Sequence, residues 1–408
     1  MPWTSTLTRD AWRLFATRFV RLFAYGALSV VLVFYLTGLG LSESQTGFLF
    51  TLILAGDTVI TLFLTNVADR YGRRRVLVTG ALLMAAAGLA FAFTRNFVFL
   101  LIAGTIGVVS PSGNEVGPFL SVEQAVLAHV LPASNRTAAF AWHSLIGSFA
   151  TALGSLFGGL VPGIVESAHS TPLAGYRAVV LLYAAGGILL AAIFGRLSAD
   201  AEVQDAGART GSGAGALLGL THSRAIVFKL AALMGLDAFG GGFVVQSMAA
   251  YWFYLRFGVN PATLGYIFFG ANLFAGVSAL LASRLAARFG LLNTMVFTHL
   301  PSNILLILVP LMPSLPLAIG VLLARFSISQ MDVPTRQSYL MAVVRPEERS
   351  AAAGITAVAR TTGAALAPWL AGLMFASGTF VDAPFYLAGA LKIVYDLVLY
   401  RAFVNLKE

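Results

Sequence analysis

The chain has 408 residues, of which 58% are hydrophobic and only 11% are charged, and its mean hydropathy is +0.84. Because soluble globular proteins carry about 25% charged residues, this composition excludes a soluble globule and indicates an integral membrane protein. The sequence contains no cysteine, which excludes a disulfide framework and a thiol nucleophile. Its net charge of +9 comes from arginines spread through short loops, which argues against a nucleic-acid-binding face.

Twelve apolar segments follow one another along the chain, and each approaches the roughly 20 residues that a helix needs to cross a bilayer. Their long continuous apolar runs predict an all-α membrane protein, because a membrane barrel shows short segments of alternating polarity. The predicted transmembrane helices lie at 12–36, 45–65, 76–94, 97–130, 137–162, 176–196, 224–255, 262–283, 291–311, 315–344, 350–376 and 383–404.

Positive charges are distributed unequally between the two sets of connecting loops. Fifteen arginine and lysine residues lie on the side that includes both termini, whereas the opposite side has only Arg95, Arg177 and Arg256. Because cytoplasmic loops are enriched in these residues, we predict that both termini are cytoplasmic. Abundant alanine and the excess of arginine over lysine are typical of a GC-rich bacterial genome, and they predict a multi-pass protein of a bacterial inner (plasma) membrane.

The loop between the second and third predicted helices is short and strongly basic. Thr65 to Val76 reads T-N-V-A-D-R-Y-G-R-R-R-V, which resembles the loop signature G-x-x-A-D-R-x-G-R-R of the major facilitator superfamily, with Thr65 in place of the first glycine. The resemblance implies a transporter, not an enzyme, with twelve helices in two pseudo-symmetric six-helix bundles and no cofactor. The matching residues of this cytoplasmic loop signature include Asp69, Arg70, Gly72, Arg73 and Arg74.

The sequence also repeats between its two halves. A shift of 218 residues aligns Gly72 with Gly290, and a shift of 213 residues aligns positions in further corresponding loops. Parallel six-helix repeats of this kind are found in major facilitator transporters. We therefore predict an N-terminal six-helix bundle at 1–197, a cytoplasmic linker at 198–222 and a C-terminal six-helix bundle at 223–408.

Fourteen charged residues fall inside the predicted helices, where a charge is costly and usually marks a pathway or a proton relay. Ten of them lie on the first, fourth, seventh and tenth helices, which line the central cavity in the superfamily. Eight are positive and six are negative, which favours an anionic or zwitterionic solute. The candidates for proton coupling are Asp57, Glu115, Glu123, Asp237 and Asp332. The candidates for solute binding or gating are Arg18, Arg21, Arg325, Arg336 and Arg360.

Some of these charges have several possible roles. Arg18 or Arg21 can pair with Asp237 across the two halves, either as a fixed ion pair or as a gate that opens during transport. Asp57 is alone in the middle of its helix, which suits a proton carrier. Glu115 lies in a Pro- and Gly-rich interruption of the fourth helix, and broken helices of this kind form solute sites in transporters. The alternative is that Glu115 belongs to an outer loop.

Two pairs of opposite charges are each four residues apart on a predicted helix. Asp332 and Arg336 can neutralise one another locally, and so can Lys392 and Asp396, for which we expect a structural role. His143 in the fifth helix and His299 in the ninth are embedded and could titrate near neutral pH, but a packing role is the favoured alternative for both.

The predicted function is proton-coupled export of a small organic anion or zwitterion by alternating access. One alternative is a uniporter or proton symporter that imports an organic or inorganic anion, and another is a receptor or scaffold with the same fold. The sequence lacks the G-x-x-x-x-G-K-[ST] phosphate loop, so ATP hydrolysis is not the expected energy source. The histidines lack metal-ligand spacing, so no metal site is predicted. We expect a monomer whose partners are a solute, protons or another coupling ion, and the lipid bilayer.

Overall fold

The computed structural model of the chain describes residues 7–169, 171–202, 220 and 222–405. In this part of the chain there are fifteen α-helices and no β-strand. The helices are α1 (Arg9–Gly38), α2 (Glu43–Tyr71), α3 (Arg73–Phe93), α4 (Phe97–Ile106), α5 (Phe119–Val130), α6 (Ala133–His169), α7 (Pro172–Phe194), α8 (Arg224–Gly242), α9 (Gln246–Phe257), α10 (Pro261–Phe289), α11 (Leu291–Leu308), α12 (Leu315–Ser329), α13 (Asp332–Val343), α14 (Arg349–Ala376) and α15 (Ala383–Phe403).

Ten stretches of the described helices are long and apolar enough to cross a membrane, which confirms a multi-pass, all-α membrane protein. Large apolar side chains on their outer faces are exposed, as with Phe63, Phe93 and Ile164, and lipid is the solvent that suits such faces. The total of twelve spans and the cytoplasmic position of both termini stay predictions.

Three of the predicted spans are interrupted, and glycine or proline lies at or beside the first two interruptions. The fourth span leaves the helix at 107–118, between α4 and α5. The seventh is broken at 243–245, directly after three consecutive glycines, and the tenth at 330–331. The 213-residue shift maps α5 onto α13 from end to end, so the two broken spans correspond in position. This agreement supports the predicted repeat.

The chain divides into two compact units. Within unit 1, the backbones of α1 and α6 are in contact at Gly154. A Cβ at this position would lie 2.0 Å from the carbonyl oxygen of Phe23, so only glycine fits here. Within unit 2, α8 and α14 meet in the same way at Gly363, next to the carbonyl oxygen of Gly235. The predicted domain boundaries remain predictions, and the glycine-rich part of the predicted linker lies outside the described residues. Unit 1 comprises Met1–Leu41, Leu52–Thr210 and Asn260–Phe269, and unit 2 comprises Ser42–Thr51, Gly211–Val259 and Gly270–Glu408.

The basic loop signature forms the start of α3. Gly72 precedes α3 with φ at +99°, and Gly290 precedes α11 with φ at +84°, so the two aligned glycines share a backbone conformation that other residues rarely adopt. Glu202 accepts hydrogen bonds from the backbone N–H groups of Arg73 and Arg74, at 2.7 and 3.1 Å, and caps the helix. The side chains of Asp69 and Arg70, the other two charged residues of the signature, lie outside the described part of the structure.

Candidate functional site

The first cluster of embedded charges lies in unit 1, on α1, α5 and the segment between α4 and α5. Arg21 donates two parallel hydrogen bonds to Glu123, with Nη1 2.8 Å from Oε1 and Nη2 2.7 Å from Oε2. The Nε of Arg21 donates to Glu115 Oε1 at 2.7 Å, and Arg18 pairs with the other oxygen of Glu115. We call Arg18, Arg21, Glu115 and Glu123 the N-cluster. With two positive and two negative side chains, the N-cluster is neutral.

The centre of the N-cluster is dry and its geometry is well matched. Arg21 and Glu123 are both 0% exposed. The Thr17 hydroxyl donates to Glu123 Oε1 at 2.9 Å, the Phe119 ring lies 4.6 Å from the Arg21 guanidinium, and His143 Nε2 lies 3.3 Å from Glu123 Oε2. Bidentate arginine–carboxylate pairs are among the strongest side-chain pairs. Removing one partner from a buried pair typically costs about 3–5 kcal/mol.

The interruption of the fourth span brings Glu115 into the N-cluster. This segment contains two prolines, and Gly113 and Gly117 have φ values of +68° and +79°, which a regular helix cannot contain. Glu115 is partly buried, and its side chain is 15% exposed. Glu115 thus lies in a non-helical segment, as the loop alternative expected, but its side chain is paired with a buried arginine and does not lie free at the surface.

Arg18 is accommodated by a glycine on the neighbouring helix. A Cβ at Gly147 of α6 would lie 2.7 Å from Arg18 Nε and 2.9 Å from its Nη2, closer than atoms can approach. The guanidinium of Arg18 therefore occupies the space that a side chain at position 147 would need.

Asp57 also lies in unit 1 but differs from the N-cluster carboxylates. Its Oδ1 accepts the backbone N–H of Gly117 at 2.6 Å and the hydroxyl of Thr61 at 3.3 Å. Among the described residues no cation pairs with Asp57. This carboxylate therefore fastens α2 to the interrupted segment through hydrogen bonds alone.

The second cluster lies in unit 2 and is centred on Asp237 of α8. Lys392 Nζ of α15 lies 2.6 Å from Asp237 Oδ1, and Arg336 Nη1 of α13 lies 3.0 Å from Asp237 Oδ2. The same Nη1 lies 3.1 Å from Asp332 Oδ2, which confirms the predicted local pair. We call Asp237, Asp332, Arg336 and Lys392 the C-cluster. It too has two charges of each sign and is neutral.

A histidine joins the C-cluster to a further carboxylate. His299 Nδ1 lies 2.8 Å from Asp396 Oδ1, and His299 Nε2 lies 3.6 Å from Asp237 Oδ1. Asn303 donates to the second oxygen of Asp396 at 2.9 Å. His299 and Asp396 are 5% and 0% exposed, so this chain of contacts is buried.

Asp237, His299 and Asp332 place three possible ligand atoms within 4.8 Å of one another. The Arg336 guanidinium touches both carboxylates and the Lys392 ammonium touches one of them. These two cations supply the positive charge that a metal would supply, so we assign the group to ion pairing.

Two further arginines of unit 2 lie near the C-cluster without a carboxylate of their own. Arg325 and Arg360 are partly buried, and the Nε of each is buried with no hydrogen-bond partner. The Phe326 ring lies 4.9 Å from the Arg325 guanidinium. The charge of Arg336 repels Arg360, whereas both C-cluster carboxylates attract it.

The structure bears on two of the predicted pairings. Arg18 and Arg21 bind glutamates of their own unit, and Asp237 binds Lys392 and Arg336, so these residues have partners within their units, and the arginine pair with Asp237 stays a prediction. Lys392 does not pair with the aspartate four residues along α15, because tertiary contacts turn the two side chains to different partners. The packing role expected of His299 is also too simple, since both of its ring nitrogens face carboxylates.

Sequence comparison shows which family has this architecture. A sequence model of the Major Facilitator Superfamily matches residues 14–324. The chain belongs to the major facilitator superfamily. The family resemblance of the loop signature is thereby confirmed, and the chain is a transport protein and not an enzyme.

The transporter resembles a protein of Saccharomyces cerevisiae, uncharacterized membrane protein YJR124C, with 31% identity over 98% of this chain and 95% of the yeast protein. It is 25% identical to quinolone resistance protein NorA of Staphylococcus aureus, over 41% of either chain. Its fold matches the nucleoside transporter NupG with a TM-score of 0.72 and 14% identity, covering 98% of this chain and all of NupG. It also matches a D-xylose-proton symporter, with a TM-score of 0.70 and 16% identity, covering 96% and 97% of the two chains. These two structures share the fold with the transporter.

Proposed function

We propose that this transporter moves a small organic anion or zwitterion by alternating access and couples the movement to protons. The observation that carries the proposal concerns Arg325 and Arg360. Both side chains are partly buried, the Nε of each is buried without a hydrogen-bond partner, and neither has a carboxylate partner in the described part of the chain. A buried cation needs an opposite charge or hydrogen-bond acceptors. A carboxylate or phosphate of a solute would supply both.

The charge balance of unit 2 supports an anion. The C-cluster is neutral, and Asp396 is engaged by His299 and Asn303. Arg325 and Arg360 therefore add two positive charges against one further carboxylate. Because Arg336 repels Arg360, an anion bound between these arginines would also relieve a repulsion. The N-cluster offers no such excess.

Proton coupling is supported by the way in which the five candidate carboxylates are held. Glu115, Glu123, Asp237 and Asp332 are ion-paired, so protonation would leave a buried cation without its partner. Asp57 has only hydrogen-bond donors and can take up a proton without that penalty. We therefore place Asp57 first among the five.

Export is the direction that we propose, because the partial relative NorA is named for quinolone resistance. The alternative of anion uptake by uniport or proton symport uses the same arginines. A receptor or scaffold role is the third possibility, and it requires a protein that binds solutes without moving them. We propose a monomer in a bacterial inner membrane, although the relative that matches almost the whole chain comes from yeast.

The test is solute flux in proteoliposomes that contain the purified transporter. We would use succinate, glutamate and the zwitterionic quinolone norfloxacin, with D-xylose as a neutral control. The proposal predicts that at least one charged compound moves, and that an imposed pH gradient changes its flux several-fold. Flux that ignores the gradient favours the uniporter. Binding without flux favours the receptor, and transport of the neutral sugar alone contradicts the anion assignment.

A further inference from the structure

His299 lies on α11, outside the first, fourth, seventh and tenth spans that carry most of the embedded charges. Its helix, α11, and the helix of Asp396, α15, approach Asp237 of α8 from different sides. Together they form a carboxylate–imidazole–carboxylate series inside unit 2. An imidazole can bind a proton on a ring nitrogen, and neighbouring carboxylates stabilise its charged form.

Two groups lie against Nδ1 of His299: Asp396 Oδ1 at 2.8 Å and the amide nitrogen of Asn303 at 3.1 Å. An ionised carboxylate can only accept a hydrogen bond, so on the shorter contact we assign the ring hydrogen to Nδ1, which then donates to Asp396. Asn303 donates to the other oxygen of Asp396 and fixes that carboxylate. Nε2 then faces Asp237 Oδ1 at 3.6 Å. In the neutral ring Nε2 presents a lone pair to a carboxylate, whereas in the charged ring it presents a hydrogen.

We propose that Nε2 of His299 is a proton-binding site of the transporter. A proton from water binds Nε2 and converts the ring to imidazolium, and the same proton later leaves from Nε2 to water. The ring then attracts Asp237 and Asp396 at once. This inference rests on the proposed proton-coupled transport and places one coupling site in unit 2, whether or not Asp57 carries a second proton.

Proton binding at His299 would weaken the ion pairs that Asp237 forms with Lys392 and Arg336. Lys392 Nζ lies 2.6 Å from the same Oδ1 that faces His299. A charged ring adds a third cation to a carboxylate that already holds Lys392 and Arg336, so the two cations repel the new charge and compete for the oxygens. The proton would therefore weaken the Lys392–Asp237 ion pair that connects α15 to α8. The titratable or charged groups that lie against His299, or against the carboxylates near it, are Asp237, Asp332, Arg336, Lys392, Tyr395 and Asp396. Arg325 and Arg360 act on Asp237 and Asp332 through their charge.

The first test needs no solute. The chain has five histidines, so ¹⁵N-histidine labelling in nanodiscs gives few ring signals, and His299→Gln identifies the relevant one. We expect that ring to change from neutral to charged as the pH is lowered. Because the charged ring of Asp396→Asn lacks an attracting carboxylate, this variant should lower the midpoint of the change, while Asp57→Asn in unit 1 leaves it unchanged. A ring that stays in one form throughout, or a midpoint unaffected by Asp396→Asn, overturns the proposal.

The second test measures coupling with norfloxacin and succinate in proteoliposomes. We expect the His299→Gln variant to exchange the transported probe across the membrane in the absence of a pH gradient. Its flux should lose most of the response to an imposed pH gradient. An unchanged response in His299→Gln overturns the coupling role of His299. If the wild-type transporter moves neither probe, the proposed function fails for both probes, and the ring titration still decides whether His299 binds a proton.

Discussion

Lys392 Nζ lies 2.6 Å from Asp237 Oδ1, although an oppositely charged residue, Asp396, follows four positions later on its own helix. The pair joins α15 to α8, whereas the expected pair would have stayed within α15. The pair of Lys392 with Asp396 that the sequence favours is thus absent, and the pair of Lys392 with Asp237 joins two helices of unit 2 instead. The contribution of this pair to stability can be measured.

Removing one member of the Lys392–Asp237 pair should destabilise the protein more than removing both. We expect Lys392→Met or Asp237→Asn alone to lower stability by about 3–5 kcal/mol, because each leaves an opposite charge buried. The double variant should recover a large part of that loss. Thermal unfolding in detergent checks the cycle, and additive losses would show that the two side chains do not interact.

The bidentate geometry of Arg21 and Glu123 predicts that charge alone is not enough at position 21. Arg21→Lys keeps the positive charge but has no planar fork, so it can no longer hold both oxygens of Glu123 and reach Glu115. We expect a marked loss of thermal stability and of flux. Arg256→Lys, at an exposed position, is the matched control and should behave like the wild type. Wild-type behaviour of Arg21→Lys would mean that the fork is unimportant.

Gly147 and Gly163 lie on the same helix, α6, and provide a matched pair of substitutions. Gly147→Ala should displace the Arg18 guanidinium and weaken its contact with Glu115, because the new Cβ would lie 2.7 Å from Arg18 Nε. Gly163→Ala meets no atom within 4 Å and should be neutral or slightly stabilising. Unfolding temperature and flux measure both variants, and equal behaviour of the two would contradict the position of Arg18.

Two replacements of Asp57 separate its structural role from its chemical role. Asp57→Asn keeps an oxygen that can accept the Gly117 N–H but cannot bind a coupling proton, so we expect normal folding and a reduced response to a pH gradient. Asp57→Leu leaves the N–H without an acceptor and should also lower stability by about 1–3 kcal/mol. If Asp57→Asn responds to the gradient as the wild type does, Asp57 is not a coupling residue.

The sequence contains enough information for the membrane class, the family and the interruption of the fourth span. Hydrophobic length, the loop signature and the Pro- and Gly-rich segment act locally, and the structure shows their effects at the predicted places. The breaks in the seventh and tenth spans fall within segments that were predicted as continuous helices. The match of α5 with α13 follows from the repeat in the same way.

Apart from the local pair of Asp332 and Arg336, the partners of the embedded charges could not be predicted, because they depend on how each helix is rotated about its axis. Spacing along one helix favours Lys392 with Asp396, but the rotation of α15 directs Lys392 to α8 and Asp396 to α11. The contacts of His299 depend on helix rotation in the same way, because its two carboxylate partners lie on α8 and α15. A lone histidine has no sequence signature until its two carboxylates, from two other helices, are placed around it.

The proposed function requires Arg325 and Arg360 to hold the anionic group of the solute. We would measure equilibrium binding of succinate, glutamate and norfloxacin to the wild type, Arg325→Gln, Arg360→Gln and the exposed control Arg256→Gln. A hydrogen bond to a charged group contributes about 1.5–3 kcal/mol, so Arg325→Gln and Arg360→Gln should each weaken binding of the recognised compound by roughly 10- to 100-fold, and the control should not. Unchanged affinity in both Arg325→Gln and Arg360→Gln would show that these arginines do not bind the solute.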